Sequence, residues 1–153
     1  MAERNDFARA RSLALKYLTY RDRSQAEMMN YLATKEIPKN VTREIIRYLK
    51  NLDYINDDRF ALNWGKSRVK NKQLGKHRLQ RELLAKGVPR EKVSRALQTV
   101  YSHVDEFQLA QSCAEKKMRQ CENLDAETRN RRIAQFLQRK GFSGQIIFKI
   151  LNP

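Results

Sequence analysis

Apolar residues recur along this chain at intervals of three and four positions, which is the spacing of amphipathic helices. The longest segments with this period run over roughly 7–20, 58–71 and 105–121. Shorter segments follow the first two as pairs, at roughly 24–34 with 40–50 and at 75–86 with 90–101. The 153 residues include only 5 Gly and 3 Pro, too few for the frequent turns of a sandwich or barrel. The pattern therefore predicts an all-α protein.

A similar pattern of residues occurs three times along the chain. It is YLATKEIPKNVTREIIRYL around Pro38, ELLAKGVPREKVSRALQTV around Pro89 and FLQRKGFSGQIIFKIL around Ser143. Each copy joins an apolar helix end, a lysine, an apolar residue and a helix-starting residue. The copies are 51 and then 54 residues apart. Together with the long segment upstream of each copy, this pattern predicts three tandem three-helix, helix-turn-helix-like repeats.

A repeat of about fifty residues buries too little apolar surface to be robust alone, so neighbouring repeats are expected to stack. Stacking in series predicts an elongated, curved molecule whose long face suits a groove or a filament. The predicted units are residues 1–57, 58–103 and 104–153.

Residues that favour helix starts stand at the predicted boundaries. Ser24 and Glu27 form a capping box, in which each side chain accepts a hydrogen bond from the backbone N–H of the other residue. Asp57 is expected to cap the helix that carries Phe60, with Asp58 as a first-turn acid rather than half of a metal pair. Asp125 is expected to cap a helix of the third repeat.

Helix ends show a difference between the repeats. Gly87 and Gly141 suit the left-handed residue that closes many helices. The equivalent residue of the first repeat is Glu36, so the sequence predicts that this helix ends by another geometry.

Positive charge is concentrated in the middle of the chain, which carries a formal net charge of +15 at pH 7. Residues 1–58 hold 11 basic and 9 acidic residues, residues 59–100 hold 12 and 2, and residues 101–153 hold 9 and 6. Such an excess indicates a polyanionic partner. A nucleic-acid partner is favoured over a surface that contacts only solvent, because ordinary protein surfaces mix acidic and basic residues. The narrow apolar stripe disfavours a membrane-surface helix.

Seven basic side chains are the candidates for contact with nucleic acid or a filament. They are Lys66, Arg68, Lys70, Lys72, Lys76, Arg78 and Arg81. Gly75 is expected to begin a helix whose first N–H groups are unobstructed. With Lys72 and Lys76 beside it, that helix start is predicted to be an anion site.

Residues that often carry other chemistry have simpler explanations here. Phe60 and Trp64 lie one helical turn apart, which indicates core packing rather than base stacking. His77 has no nucleophile or carboxylate at a recognisable spacing, and Cys113 and Cys121 show neither zinc-site nor disulfide spacing. We therefore expect no catalytic residue, metal or cofactor. No signal peptide or spanning segment is visible either, so the expected location is the cytoplasm.

Three ordered motifs resemble those of a known family. The first lies at residues 14–27, the second is YINDDRFA at 54–61, and the third lies at 67–88. Their signature residues are, in chain order, Arg21, Ser24, Glu27, Asp57, Asp58, Phe60, Gly75 and Arg78. Over about residues 8–152 the chain resembles the RecX family of proteins that regulate RecA. By this pattern Asp57, Phe60 and Gly75 are expected to shape the repeats, and Arg78 to be exposed for binding.

The resemblance implies a non-enzymatic regulator of DNA repair, homologous recombination and the SOS response. Proteins of this family lie along the groove of the RecA filament on single-stranded DNA and inhibit the ATPase, strand-exchange and co-protease activities of RecA. The expected partners are RecA, its nucleoprotein filament, and single- and double-stranded DNA without sequence preference. A monomer is expected, with no membrane partner.

The main alternative is a sequence-specific DNA-binding regulator of helix-turn-helix type. The helix pairs 24–34/40–50 and 75–86/90–101 are compatible with that motif. Such a regulator would show sequence preference and two-fold symmetry with matched half-sites. An enzyme would need a cluster of titratable residues, which the sequence does not display.

Overall fold

The protein is all-helical in the computed structural model, which describes residues 2–153. Over that range it forms nine α-helices and no strand, which confirms the predicted fold class. In chain order the helices are α1 (Ala2–Tyr20), α2 (Gln25–Thr34), α3 (Lys39–Asn51), α4 (Asp57–Lys72), α5 (Lys76–Ala85), α6 (Arg90–Ser102), α7 (Glu106–Gln120), α8 (Ala126–Lys140) and α9 (Gly144–Leu151). None of these helices is long and apolar enough to cross a membrane.

Each run of three helices buries an apolar core of its own. The middle helix of each repeat places two fully buried residues one turn apart, namely Met28 and Leu32, Leu79 and Leu83, and Ile133 and Leu137. Leu109 packs against both the second and the third core. The three-helix repeats predicted from the sequence are therefore present, while the boundaries at residues 57/58 and 103/104 stay a prediction.

The repeats leave an unusually large surface in contact with solvent. The accessible area is 10129 Å². A compact monomer of this mass, 18.1 kDa, would expose roughly 8100 Å². The excess fits an elongated array of small cores that meet along narrow junctions.

Two predicted helix starts are confirmed. Ser24 Oγ accepts from the Glu27 N–H at 3.1 Å, and the Ser24 N–H donates to Glu27 Oε1 at 3.2 Å, which completes the capping box. Asp125 accepts from the Thr128 N–H at 3.0 Å at the start of α8.

The prediction that Asp57 caps α4 is wrong. The N-cap is Asn56, whose side-chain oxygen accepts from the Arg59 N–H at 3.0 Å. Asparagine caps a helix as well as aspartate does, and the extended backbone of Asn56, with φ of −154°, provides the required geometry. Asp57 is buried as the first residue of the helix, where it accepts from the Gln25 N–H at 2.8 Å and so caps a helix of the first repeat.

The prediction that the first repeat ends its middle helix differently is also wrong. Glu36 has φ of 61°, in the same left-handed region as Gly87 (78°) and Gly141 (97°). A Cβ on Gly87 would lie 2.2 Å from the Ala26 Cβ, and one on Gly141 would lie 2.3 Å from the Arg78 backbone N. Glu36 is exposed. Glycine is therefore required where the turn touches the preceding repeat, whereas the exposed turn at Glu36 accommodates a side chain.

Candidate functional site

The first two repeats join where α2 begins and α5 ends. Ser24 Oγ donates to the Lys86 carbonyl at 2.6 Å, and Asp57 accepts from the Gln25 N–H. Lys86 Nζ lies 3.8 Å from Glu27 Oε2. The signature residues Ser24, Glu27 and Asp57 therefore hold one repeat against the next.

Glu27 is the centre of a charged cluster at this junction. Its carboxylate pairs with Arg21 and lies within 4 Å of Arg23 and Lys86. Burial by itself would raise the pKa of Glu27. The hydrogen bonds from Arg21 and the Ser24 N–H, with the charges of Arg21 and Lys86, outweigh burial and hold that pKa below its ordinary range. The carboxylate is therefore ionised and stabilising at neutral pH.

Replacing Glu27 with glutamine is expected to lower the free energy of unfolding at pH 7 by about 2 kcal/mol, because three cations lose their shared partner. A depressed pKa in the folded state gives stabilisation that is fully present above the unfolded pKa of about 4.3 and is lost as the pH falls through the lower folded value. Urea denaturation of both proteins from pH 7 to pH 3 should show the gap closing in acid. A gap that stays constant across this range would contradict the assigned role.

The aromatic pair of α4 packs at the same junction, as predicted. Phe60 is 3 % exposed and stacks on Trp64 with ring centroids 5.8 Å apart. The Arg21 guanidinium lies 5.5 Å and Lys86 Nζ 4.8 Å from the Trp64 ring centroid, in the range of cation–π contacts. The signature residue Arg21 thus contacts Trp64 across the junction, while Phe60 packs in the core of the second repeat.

The second and third repeats join in the equivalent way, where α5 begins and α8 ends. The Gly75 N–H donates to the Lys140 carbonyl at 2.8 Å, and the His77 N–H donates to the Gly141 carbonyl at 3.1 Å. A Cβ on Gly75 would lie 2.5 Å from the Gly141 carbonyl oxygen, so this contact requires glycine at 75.

The prediction of an anion site at the start of α5 is therefore wrong, although Gly75 is the N-cap of that helix as expected. The Lys76 N–H donates to Glu106 Oε1 at 3.1 Å, and Lys76 Nζ lies 3.8 Å from the same carboxylate. The third repeat thus occupies the N–H groups that were expected to be unobstructed.

The structure divides the seven predicted binding residues into two kinds. Three are engaged within the protein: Arg68 with Glu82 at 2.7 Å, Lys76 with Glu106, and Arg78, which donates to the Arg139 carbonyl at 2.9 Å and lies 3.9 Å from Glu82. The other four are exposed and have no carboxylate within 4.0 Å among residues 2–153, namely Lys66, Lys70, Lys72 and Arg81.

Three of these free cations lie on the C-terminal half of α4, whose last turn is contacted by the third repeat. Lys66 and Lys70 lie one turn apart on the same side of the helix, whereas Lys72, two residues after Lys70, projects from roughly the opposite side. Lys140 Nζ donates to the Lys72 carbonyl at 2.5 Å, and Lys116 Nζ donates to the Gln73 side chain at 3.4 Å. We call the basic surface that surrounds this end of α4 the α4 basic face, and it consists of Lys66, Lys70, Lys72, Lys116 and Lys140.

The contribution of the third repeat to this face was not predicted from the sequence. Residues 101–153 carry 9 basic and 6 acidic residues, so their composition shows no concentration of charge. Folding brings Lys116 and Lys140 next to the end of α4. Only the repeated lysine at positions 35, 86 and 140 could have drawn attention to Lys140.

The described part of the chain holds no group of three or more His, Cys, Asp or Glu side chains that could bind a metal ion. Cys113 and Cys121 are free and buried. Burial raises the pKa of the Cys113 thiol, against the opposing charges of Lys140 and Lys116. That thiol is therefore protonated at neutral pH and unsuited to nucleophilic attack.

Comparison with known proteins finds one family along the whole chain. Residues 10–49, 56–97 and 104–151 match the sequence models of the first, second and third three-helix domains of RecX. The chain is 37 % identical over 141 residues to the regulatory protein RecX of Bacillus pumilus, covering 91 % of this chain and 52 % of that protein. It is 30 % identical over 149 residues to regulatory protein RecX of Streptomyces lividans, covering 97 % and 79 %.

A solved structure shows the same architecture. The crystal structure of RecX from Lactobacillus salivarius superposes with a TM-score of 0.84 at 26 % identity, and the match covers 96 % of this chain and 95 % of that one. The chain spans about half the length of the Bacillus relative.

Proposed function

The chain belongs to the RecX family of regulatory proteins, and from this membership we propose that it regulates RecA by binding the RecA filament on single-stranded DNA. Binding inhibits the ATPase, strand-exchange and co-protease activities of RecA, with no catalytic step by this protein and no cofactor. The proposed setting is DNA repair, homologous recombination and the SOS response.

The α4 basic face is the observation that supports this proposal most strongly. Lys66, Lys70 and Lys72 are exposed, and none of them is within 4.0 Å of a carboxylate in the described chain. Exposed cations without a carboxylate partner attract phosphates or the acidic side chains of a filament groove, and such contacts carry no information about base sequence. The proposed contact with single- and double-stranded DNA is therefore independent of sequence and sensitive to salt.

The elongated array also supports a filament as the partner. Its exposed area of 10129 Å² is larger than that of a compact protein of this size. Three repeats in series can contact neighbouring RecA protomers. A compact domain with the same number of residues would span a shorter distance along the filament.

The middle repeat offers little support for the alternative of a sequence-specific helix-turn-helix regulator. In that motif the second helix of the pair reads base edges in the major groove with free side chains. In the middle repeat this helix is α6. Its Arg95 donates to Asp58 Oδ1 at 2.9 Å, and its Lys92 lies 3.5 Å from the same carboxylate. Both cations are thus partly neutralised within their own repeat.

Co-sedimentation with preformed RecA filaments on single-stranded DNA tests the proposal. We expect the protein to pellet with the filament and to be released as salt is raised, because the α4 basic face contributes phosphate or carboxylate contacts. The same DNA without RecA, at equal nucleotide concentration, is the control. Pelleting that is no stronger with RecA than with bare DNA would contradict a filament-binding role and favour a general DNA-binding protein.

A further inference from the structure

A cleft of about 530 Å³ separates α5 from the α8–α9 pair. Its lining residues come from the second and third repeats, and α4 contributes none of them. Arg81 and His77 stand on one wall and Gln138 on the other, while Phe142 and Ile147 form an apolar floor. This cleft is therefore separate from the α4 basic face, and it holds the one remaining unpaired cation among the predicted binding residues.

A second cleft, of about 430 Å³, continues the first along α5. Arg81 lines both clefts, and the second adds Leu84, Arg90 and Val93. Leu84 is 36 % exposed and is among the large apolar side chains that contact solvent. We call the two clefts together the α5 groove, defined by His77, Arg81, Leu84, Arg90, Phe142 and Ile147.

The charged side chains that line the α5 groove are all basic. Arg81 and Arg90 are exposed and have no carboxylate within 4.0 Å in the described residues, and no Asp or Glu lines either cleft. A guanidinium group binds a carboxylate through two parallel hydrogen bonds. The groove therefore presents two free carboxylate-binding groups above an apolar floor.

The walls of the groove are held in place by the junction between the repeats. The His77 N–H bonds to the Gly141 carbonyl at 3.1 Å, and the Arg78 guanidinium bonds to the Arg139 carbonyl at 2.9 Å. Phe142 is 3 % exposed within the third core. A preformed groove binds a ligand without a large ordering cost.

We propose that the α5 groove binds an acidic peptide segment of a partner protein. Carboxylates of the segment pair with Arg81 and Arg90, and one large apolar side chain covers Ile147 or Leu84. The apolar floor favours a peptide over nucleic acid, because a phosphate backbone would satisfy the two arginines and leave the floor uncovered. The partner surface is distinct from the α4 basic face, so the proposal does not depend on how that face is used.

A peptide titration followed by NMR tests this proposal. The probe is a pool of synthetic twelve-residue peptides rich in Asp and Glu, each with two Leu or Phe residues near its centre. We expect the methyl resonances of Leu84 and Ile147 to shift on addition of this pool. An otherwise identical pool with Asn and Gln in place of the acids is expected to cause little change.

Two charge-reversal variants distinguish peptide binding at the α5 groove from peptide binding at the α4 basic face. Arg81→Glu is expected to weaken binding of the acidic pool at least about tenfold, whereas Lys70→Glu is expected to change it less than about twofold. Circular dichroism of both variants is the control for folding. Equal effects of the two variants would overturn the assignment of the groove.

Three other results would also overturn the proposal. One is the absence of any methyl shift with the acidic pool, and the second is an equal shift with the amide pool. The third is a shift of the Leu84 and Ile147 methyls by an oligothymidine that matches the shift caused by the acidic pool, which would identify the groove as a nucleic-acid surface.

Discussion

Replacing Gly141 with alanine is expected to lower the free energy of unfolding by about 3 kcal/mol or more. Gly141 has φ of 97°, a region that residues with a Cβ rarely adopt. The new Cβ would also lie 2.3 Å from the Arg78 backbone N, so α5 and α8 would have to move apart. Urea denaturation followed by circular dichroism measures the loss.

Glu36→Gly is the matched control for this substitution, because Glu36 occupies the equivalent turn of the first repeat with φ of 61° and its side chain is exposed. Relief of backbone strain and the added flexibility of the unfolded chain oppose each other. We expect stability to remain unchanged or to rise by up to about 1 kcal/mol. A loss below about 1 kcal/mol for Gly141→Ala would show that the junction does not need this close contact.

Reversing the charge of Lys66, Lys70 and Lys72 together is expected to lower the affinity for single-stranded DNA at least about a hundredfold at low salt. If each lysine contacts one phosphate, the slope of log affinity against log salt should fall by about two units. Fluorescence anisotropy of a labelled oligothymidine across a salt series measures both quantities. Helicity should be unchanged, because all three side chains are exposed.

A second triple variant tests whether position matters or only net charge. Arg43, Arg47 and Lys50 are exposed on α3, and their replacement by glutamate changes the net charge by the same amount. We expect this control to weaken DNA binding much less than the α4 variant does. Equal losses would mean that the interaction depends on overall charge and that the α4 basic face is not the binding surface.

The repeats were predictable because their determinants are local in sequence. The buried pairs Leu79/Leu83 and Ile133/Leu137 lie one helical turn apart, and the Ser24 capping box spans four residues. Periodicity and capping chemistry identify such features without any knowledge of the tertiary structure.

The junctions were not predictable because they join residues that are distant in sequence. Asp57 reaches the Gln25 N–H across 32 positions, and Glu106 reaches the Lys76 N–H across 30. Each acid precedes or begins a helix, so its local context indicates an ordinary cap or first-turn acid. Only the packing of one repeat on the next reveals that it serves a neighbouring helix.

The candidate site was predictable as a region but not as a set of residues. The excess of basic residues in the middle of the chain indicated a region in which Lys66, Lys70 and Lys72 are exposed and have no carboxylate partner in the described chain, while their role in binding stays a prediction. Arg68 has the same local pattern, yet it bonds to Glu82, 14 positions away on the next helix. Charge counting cannot separate a paired arginine from a free lysine, because pairing depends on how α4 packs against α5.

The single-stranded-DNA-dependent ATPase activity of RecA, titrated with this protein, tests the proposed function most directly. We predict that hydrolysis falls at well below one molecule per RecA protomer, because a protein that blocks filament growth acts on many protomers at once. The variant with glutamate at positions 66, 70 and 72 should need a much higher concentration. Unchanged hydrolysis, with a preparation that still binds single-stranded DNA, would contradict regulation of RecA by this protein.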